Sequence, residues 1–268
     1  DILKRAGINI MDGLEIGIIG GTGGIGKWFA GFFRSAGYTV HVTGRKTGMG
    51  LPELAERCRA VFVSVPIGAT IETVRLIGPL MKEGALLADF TSLKAGPVRA
   101  MLESSVAEVV GTHPLFGPDA ASLSGQNIIL CPARGSVWVS RLRDVFERGG
   151  AVVTESSPEM HDRKMAAVQV LSHLGTISLG LTLKELGEDL AGIEKFSTPI
   201  FRQRLRMIEK VFEHPQLYEE IIRGNPASQE VMGLYQKVLS GVIESIGREP
   251  GSLERELAGA LKALKKTV

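Results

Sequence analysis

The chain has 268 residues, 44% of them hydrophobic and 22% charged, with a formal net charge of +2. That length suits one large or two ordinary domains, and so small a charge gives no ground for a nucleic-acid partner or an anionic membrane surface. No run of ~18 consecutive apolar residues marks a membrane span, the first residues lack a signal-peptide pattern, and two cysteines, Cys58 and Cys131, fit neither a metal motif nor a disulfide framework. A cytoplasmic protein without a metal is the expectation.

In chain order, residues 14–19 form a short apolar run entering a glycine cluster, the pattern of a buried strand. A helix is predicted over 27–37, ending at Gly37, and a β-branched strand over 38–43. A short helix with Pro52 at its start follows at 51–58. Strands at 60–65, 85–89, 106–111, 127–131 and 151–154 then alternate with helices at 69–81, 97–103 and 137–148. Such alternation at short spacing argues for βαβ units and a mainly parallel sheet with helices on both faces. After Ser156-Ser157-Pro158 it stops. One long helix is predicted over 158–186, Ser197-Thr198-Pro199 gives a helix start, Asn225-Pro226 repeats it, and a Lys-rich amphipathic helix begins near Ser252. The expected fold is therefore α/β, a mainly parallel sheet domain over 1–157 followed by an all-α domain over 158–268.

The glycine cluster contains Gly21-x-Gly23-x-x-Gly26. It follows a strand and opens a helix, the context in which this spacing makes the phosphate-binding turn of a Rossmann-type dinucleotide site. Glycine there permits a tight turn, close approach of backbone to pyrophosphate, and close packing of helix on strand, while the helix N-terminus presents free N–H groups. Gly21, Thr22, Gly23, Gly24, Ile25 and Gly26 are the expected cofactor contacts, joined by Val65 and Pro66 at the end of the third strand. At the end of the second strand an NAD enzyme usually places Asp or Glu for the ribose hydroxyls. Here the stretch is Val42-Thr43-Gly44-Arg45-Lys46, so Arg45 is expected to pair with a 2′-phosphate and NADP is favoured, with NAD the alternative.

Ser92 and His113 each follow a predicted strand, where ligands of open α/β sheets sit. Pro114 and a Gly/Pro-rich turn fix His113, while His161 and His214 look ordinary. In the second half, Gln169, His173 and Thr176 share one face of an otherwise apolar helix, the mark of a ligand or a satisfied polar network. Arg202 opens the next helix with Arg204 and Arg206 nearby, and arginine binds carboxylates in bidentate fashion.

Taken together, the chain resembles the prephenate dehydrogenases of tyrosine biosynthesis, particularly their archaeal and enteric branches. The resemblance rests on Gly-Gly-Thr-Gly-Gly-Ile-Gly, Asp89-x-x-Ser92-x-Lys94, Thr112-His-Pro-Leu-Phe-Gly-Pro118, Gln169-Val-Leu-Ser-His173, and Ser197-Thr-Pro-Ile-Phe-Arg202 followed by Leu217-Tyr-Glu-Glu-Ile-Ile222. It implies oxidative decarboxylation of prephenate to 4-hydroxyphenylpyruvate and carbon dioxide with hydride transfer to NAD(P)+. It further implies His113 as the base that takes the 4-hydroxyl proton, Ser92 on that hydroxyl orienting the histidine, Arg202 on a substrate carboxylate, His173 and Gln169 in the pocket, and a homodimer formed by the helical domain. Some relatives carry a second histidine where this chain has Thr176, which leaves prephenate and arogenate both open. A β-hydroxyacid dehydrogenase would place a lysine where the helix presents Gln169 and His173. A non-enzymatic NADP-sensing module would not need Ser92, His113 and Arg202.

Overall fold

The computed structural model describes residues 13–44 and 47–265. Arg45 therefore lies outside the described residues. Two compact units emerge: the first runs to Met165 and takes in His214–Asn225, and the second comprises Ala166–Glu213 and the chain from Pro226 onward.

The first unit is built on a seven-stranded sheet, with β1 Glu15–Ile19, β2 Thr39–Thr43, β3 Ala60–Val63, β4 Leu86–Asp89, β5 Glu108–Pro114, β6 Asn127–Arg134 and β7 Val152–Glu155. The order is β2-β1-β3-β4-β5-β6-β7. Every neighbouring pair is parallel except β5 and β6, which run antiparallel. Between the strands lie α1 Gly24–Ser35, α2 Leu51–Arg57, α3 Ile67–Ile77, α4 Ala95–Ser104 and α5 Val137–Arg148, and α6 Pro158–Met165 follows the last strand. Strand side chains alternate between faces, so neighbours in one strand enter two cores. Ile18 packs with Phe29, Phe33, Phe62 and Phe146 on one face. Ile19 packs with Leu54, Val63, Val74 and Leu87 on the other. A sheet buried on both faces needs apolar residues at nearly every strand position, which is what β3 and β4 supply.

Two of the boundaries that differ from expectation bear on the site. The first helix starts at Gly24 rather than residue 27, so the last glycines of the cluster form its opening turn. Strand β5 continues through Gly111 to Pro114, so His113 lies within the strand and pairs in register with Ile129. Gly111 does not end the strand. A Cβ there would meet Val98 Cγ2 at 2.7 Å and Lys94 Cδ at 3.0 Å, so the glycine admits the close approach of α4 and its N-terminal residue.

The predicted helix over 158–186 is interrupted. It comprises α6, a π-turn over Ala166–Val170, and α7 Leu171–Glu185. By length and composition alone the stretch Pro158–Glu185 could cross a membrane, with mean hydropathy 1.4 in its most apolar window. Counting consecutive apolar residues overlooks it because Gln169, His173 and Thr176 are polar but uncharged. Beyond it come α8 Leu190–Glu194, α9 Pro199–Glu213, α10 Pro215–Gly224, α11 Ser228–Ile246 and α12 Ser252–Lys265. Thr198 Oγ1 accepts the N–H of Phe201 at 3.2 Å, an N-cap ahead of Pro199. Within the second unit, Leu183 of α7 packs with Leu205 and Ile208 of α9. Helix α10 belongs to the first unit instead, a membership that carries Asn225 into the site below.

Candidate active site

The chain reverses direction across the sheet between β1 and β3, and ligands of such sheets bind at the carboxyl ends of the strands flanking that point. The glycine turn sits there. Gly20 has φ +82°, and a Cβ on it would come within 2.2 Å of the Ser64 main-chain oxygen. Cβ atoms on Gly21 and Gly26 would lie 2.6 Å from Val42 Cγ1 and 2.6 Å from the Gly20 oxygen. These three glycines are demanded by packing. Gly23 and Gly24 are not: a Cβ on Gly23 meets only the Gly20 oxygen at 3.9 Å, and one on Gly24 meets nothing within 4 Å. Both are exposed. The first helical hydrogen bond runs from the Lys27 N–H to the Gly23 oxygen (2.9 Å), which leaves the N–H groups of Gly24, Ile25 and Gly26 without an intrahelical acceptor. Open space over a bare helix N-terminus fits a pyrophosphate.

Around this turn the other expected cofactor residues are arranged by two strands. Val65 is half-buried and lies 3.2 Å from a Cβ on Gly20, and Pro66 caps α3. Exposed Thr22 reaches toward Gly44 at the end of β2, its Oγ1 3.3 Å from a Cβ built there.

At the ends of β4 and β5 lies a buried polar cluster. Lys94 and Asp89, both fully buried, form an ion pair. Lys94 Nζ also donates to the Thr112 main-chain oxygen at 2.9 Å. Asp89 accepts the N–H of Thr112 (3.2 Å) and that of Thr91 (3.1 Å). Burial pushes the Asp89 carboxyl upward, opposed by Lys94 and by those two N–H groups. A buried carboxylate with an ammonium and two N–H donors is satisfied, as a buried charge must be.

His113 is 3% exposed. Its Nδ1 lies 2.8 Å from Nε2 of His161, and Nδ1 of His161 lies 2.8 Å from Oδ1 of Asp162. Burial, then the neighbouring His161, then Lys94 hold the His113 imidazole well below its ordinary pKa of 6.5. It is therefore neutral at neutral pH, as a proton acceptor must be. Asp162 in turn accepts the N–H of Lys94 (2.9 Å) and of Ala95 (2.9 Å) at the N-terminus of α4. Asn225 Nδ2 donates to the Asp162 main-chain oxygen at 2.7 Å.

Ser92 is half-buried on the loop between Thr91 and Leu93. No hydrogen bond joins it to His113 among the described residues; the partner that holds the His113 ring is His161. Sequence reasoning passed over His161 as a histidine near a helix start. No local signal marks it: His161 stands three residues into a helix beside an aspartate, and only the fold turns both side chains inward (1% and 3% exposed).

The remaining expected residues belong to the second unit. Gln169 sits in the π-turn, a helix irregularity often found at functional sites. Its Oε1 is buried without a hydrogen-bond partner among the described residues. His173 is half-buried on α7, and burial lowers its pKa. A cleft of about 520 Å³ lies between α7, α9 and α11, lined among others by Ser172, Thr176, Gln203, Arg204 and Tyr235. Arg204, not Arg202, lines this cleft; Arg202 is exposed in the first turn of α9. No metal-ligating cluster occurs among the described residues.

Comparison with known proteins gives two adjoining family matches. Residues 30–155 match the prephenate dehydrogenase nucleotide-binding domain, and residues 157–262 match the prephenate dehydrogenase dimerization domain. Among curated proteins, a probable arogenate/prephenate dehydrogenase of Methanocaldococcus jannaschii is 37% identical over 88% of this chain and 58% of its own length. A T-protein of Haemophilus influenzae is 35% identical over 78% of this chain and 55% of its own length. The chain thus spans little more than half the length of these relatives. Among solved structures, prephenate dehydrogenase from Aquifex aeolicus in complex with hydroxyphenyl propionate and NAD+ superposes with a TM-score of 0.74 at 22% identity, covering 96% of this chain and 98% of that one. That likeness speaks to the fold.

Proposed function

Because the chain belongs to the prephenate dehydrogenase family, we propose that it oxidatively decarboxylates prephenate to 4-hydroxyphenylpyruvate and carbon dioxide, with NADP as the favoured cofactor. The observation that carries this reading is His113: buried, neutral, engaged at Nδ1, with no described residue on Nε2. The turn from Gly20 to Gly26 with Val65 and Pro66 would hold the dinucleotide, whose nicotinamide supplies the hydride acceptor.

The substrate 4-hydroxyl donates to Nε2 of His113. As hydride departs from the ring carbon that bears it, the hydroxyl proton passes to Nε2 and the C–O bond becomes a carbonyl. Ser92 binds the same oxygen and holds it in line. Loss of the ring carboxylate as carbon dioxide then sends its electron pair through the ring onto the carbonyl oxygen, which takes the proton back from Nε2 as the ring becomes an aromatic phenol. Such a step needs little further stabilisation from the protein. The second substrate carboxylate, on the side chain, is met by a guanidinium, Arg202 by family resemblance. By the same resemblance, the polar groups of Gln169 and His173 would contact the substrate.

Absence of a carboxylate in the stretch from Val42 to Lys46 supports NADP. A homodimer is supported by the apolar surface of the second unit. Only 22% of the most apolar window of Pro158–Glu185 is buried within the chain. Leu234, Val238, Leu239, Ile243 and Ile246 of α11 are exposed as well, and clustered exposed apolar residues mark interaction surfaces. Replacement of His113 by Asn tests the assignment: turnover of prephenate should fall at least ~100-fold, and near-normal turnover would reject His113 as the base.

A further inference from the structure

The direction of the hydrogen bonds behind His113 follows from the fold. Both carboxylate oxygens of Asp162 already accept backbone N–H groups, from Lys94 and Ala95 at 2.9 Å each. These are the N-cap and the first residue of a ten-residue helix, whose N-terminus favours an anion. An ionised carboxylate can only accept, so the bond between His161 Nδ1 and Asp162 Oδ1 is donated by His161. A neutral imidazole that donates from Nδ1 accepts at Nε2. That Nε2 lies 2.8 Å from His113 Nδ1, so His113 donates in turn, and its lone pair is left on Nε2.

We propose that His161 and Asp162 are positioning residues that lock His113 in the tautomer protonated at Nδ1, leaving Nε2 as the atom that takes the substrate proton. The proposal deepens the reading of His113 as the base and rests on it for its catalytic meaning. The opposite chain, with His161 protonated at both nitrogens, would put a cation in a fully buried ring and leave His113 protonated at Nε2, unable to accept. When His113 gains its proton, its Nδ1–H bond to His161 becomes charge-assisted, and the Asp162 carboxylate stabilises the positive charge without taking the proton. The third residue of a Ser-His-Asp triad acts in the same sense. The chain is braced twice at Asp162: by the helix N-terminus at its carboxylate, and by Asn225, which donates to its main-chain oxygen. The two rings meet edge to face, with centroids 5.0 Å apart and planes at 64°. That orientation lets both nitrogens of His161 be used at once.

Two experiments test it. Heteronuclear NMR of the imidazole nitrogens in the whole protein at neutral pH should find Nδ1 protonated and Nε2 unprotonated in both His113 and His161. The reverse pattern in either ring overturns the proposal. Since this measurement needs no turnover, it holds even if the chain accepts neither prephenate nor arogenate, a result that would sink the proposed function alone. In kinetics, His161→Phe fills the space but cannot accept a hydrogen bond, whereas His161→Gln can accept one through Oε1. His161→Phe should lower kcat by ~10- to 100-fold with KM changed less than about 3-fold, and His161→Gln should recover about 10-fold of that loss. Equal losses in both variants, or an effect confined to KM, would contradict it. If His161→Phe does not fold, the NMR pattern decides alone.

Discussion

Nζ of Lys94 donates to the main-chain oxygen of Thr112 at 2.9 Å, one residue before His113 on β5. The same ammonium pairs with Asp89 at the end of β4, so one buried cation ties together the strand ends on which the site is built. Its backbone N–H contributes as well, through the bond to Asp162. A side chain with 0% exposure that serves an ion pair and a carbonyl is costly to remove, because its partner keeps its charge.

Lys94→Met should therefore destabilise the first unit by about 3–5 kcal/mol, the range found when one member of a buried pair is deleted. Removing the charge on both sides, in Asp89→Asn/Lys94→Met, should cost less than Lys94→Met alone. Denaturant unfolding of the two variants checks the order. A double variant less stable than the single one would show that the pair is held by packing and not by charge.

The depressed pKa of His113 has consequences for pH. The base works when neutral, so the acid limb of kcat/KM should lie below 6.5, the value of an unperturbed imidazole. The sign for stability follows by linkage. Below 6.5 the unfolded chain binds a proton at this residue while the folded one does not, so stability is fully present above 6.5 and falls as pH drops toward the folded pKa. In His113→Asn this part of the pH dependence should be missing. An acid limb above 6.5 would contradict the neutral, buried base.

The glycine turn makes a paired prediction. Gly26→Ala puts a Cβ 2.6 Å from the Gly20 oxygen and should lower both stability and cofactor affinity. Gly23→Ala meets only an atom at 3.9 Å and should fold normally, yet it places a methyl group over the bare helix N-terminus. Its loss should appear as weaker cofactor binding at unchanged Tm, measured by fluorescence titration with NADP and with NAD. If Gly23→Ala binds both as tightly as the parent, the phosphates do not approach there.

Arg202 and Arg204 offer two homes for the substrate side-chain carboxylate. With Arg202 as its partner, Arg202→Gln raises KM for prephenate with kcat less affected, and Arg204→Gln changes little. The reverse result would move the carboxylate to the cleft between α7, α9 and α11, which Arg204 lines.

Much of the first unit was legible in the sequence because its signals are local. Short apolar runs between glycines became strands, and Gly21-x-Gly23-x-x-Gly26 became the turn at the head of α1. Even so, Gly20, outside that spacing, proved as tightly constrained as Gly21, since its neighbour is the carbonyl of Ser64, one residue past β3. The second unit emerged as the all-helical body expected, but the membership of α10 did not. Its apolar face gives no sign that it packs with residues far earlier in the chain. Gly224 lies against Leu93, a Cβ there coming within 2.4 Å of Leu93 Cδ1, and Asn225 bonds to Asp162. The roles of His161 and Asp162 were hidden for the same reason. A histidine and an aspartate near a helix start look like ordinary surface residues until β5 and α4 close over them.

The most direct test of the central claim is the initial rate of reduced-nicotinamide formation by the purified chain, with prephenate and with arogenate, each with NADP and NAD. The account predicts turnover of prephenate that is faster with NADP and is lost in His113→Asn. Absence of turnover with either substrate and either cofactor, from a protein that folds and binds the dinucleotide, would contradict it.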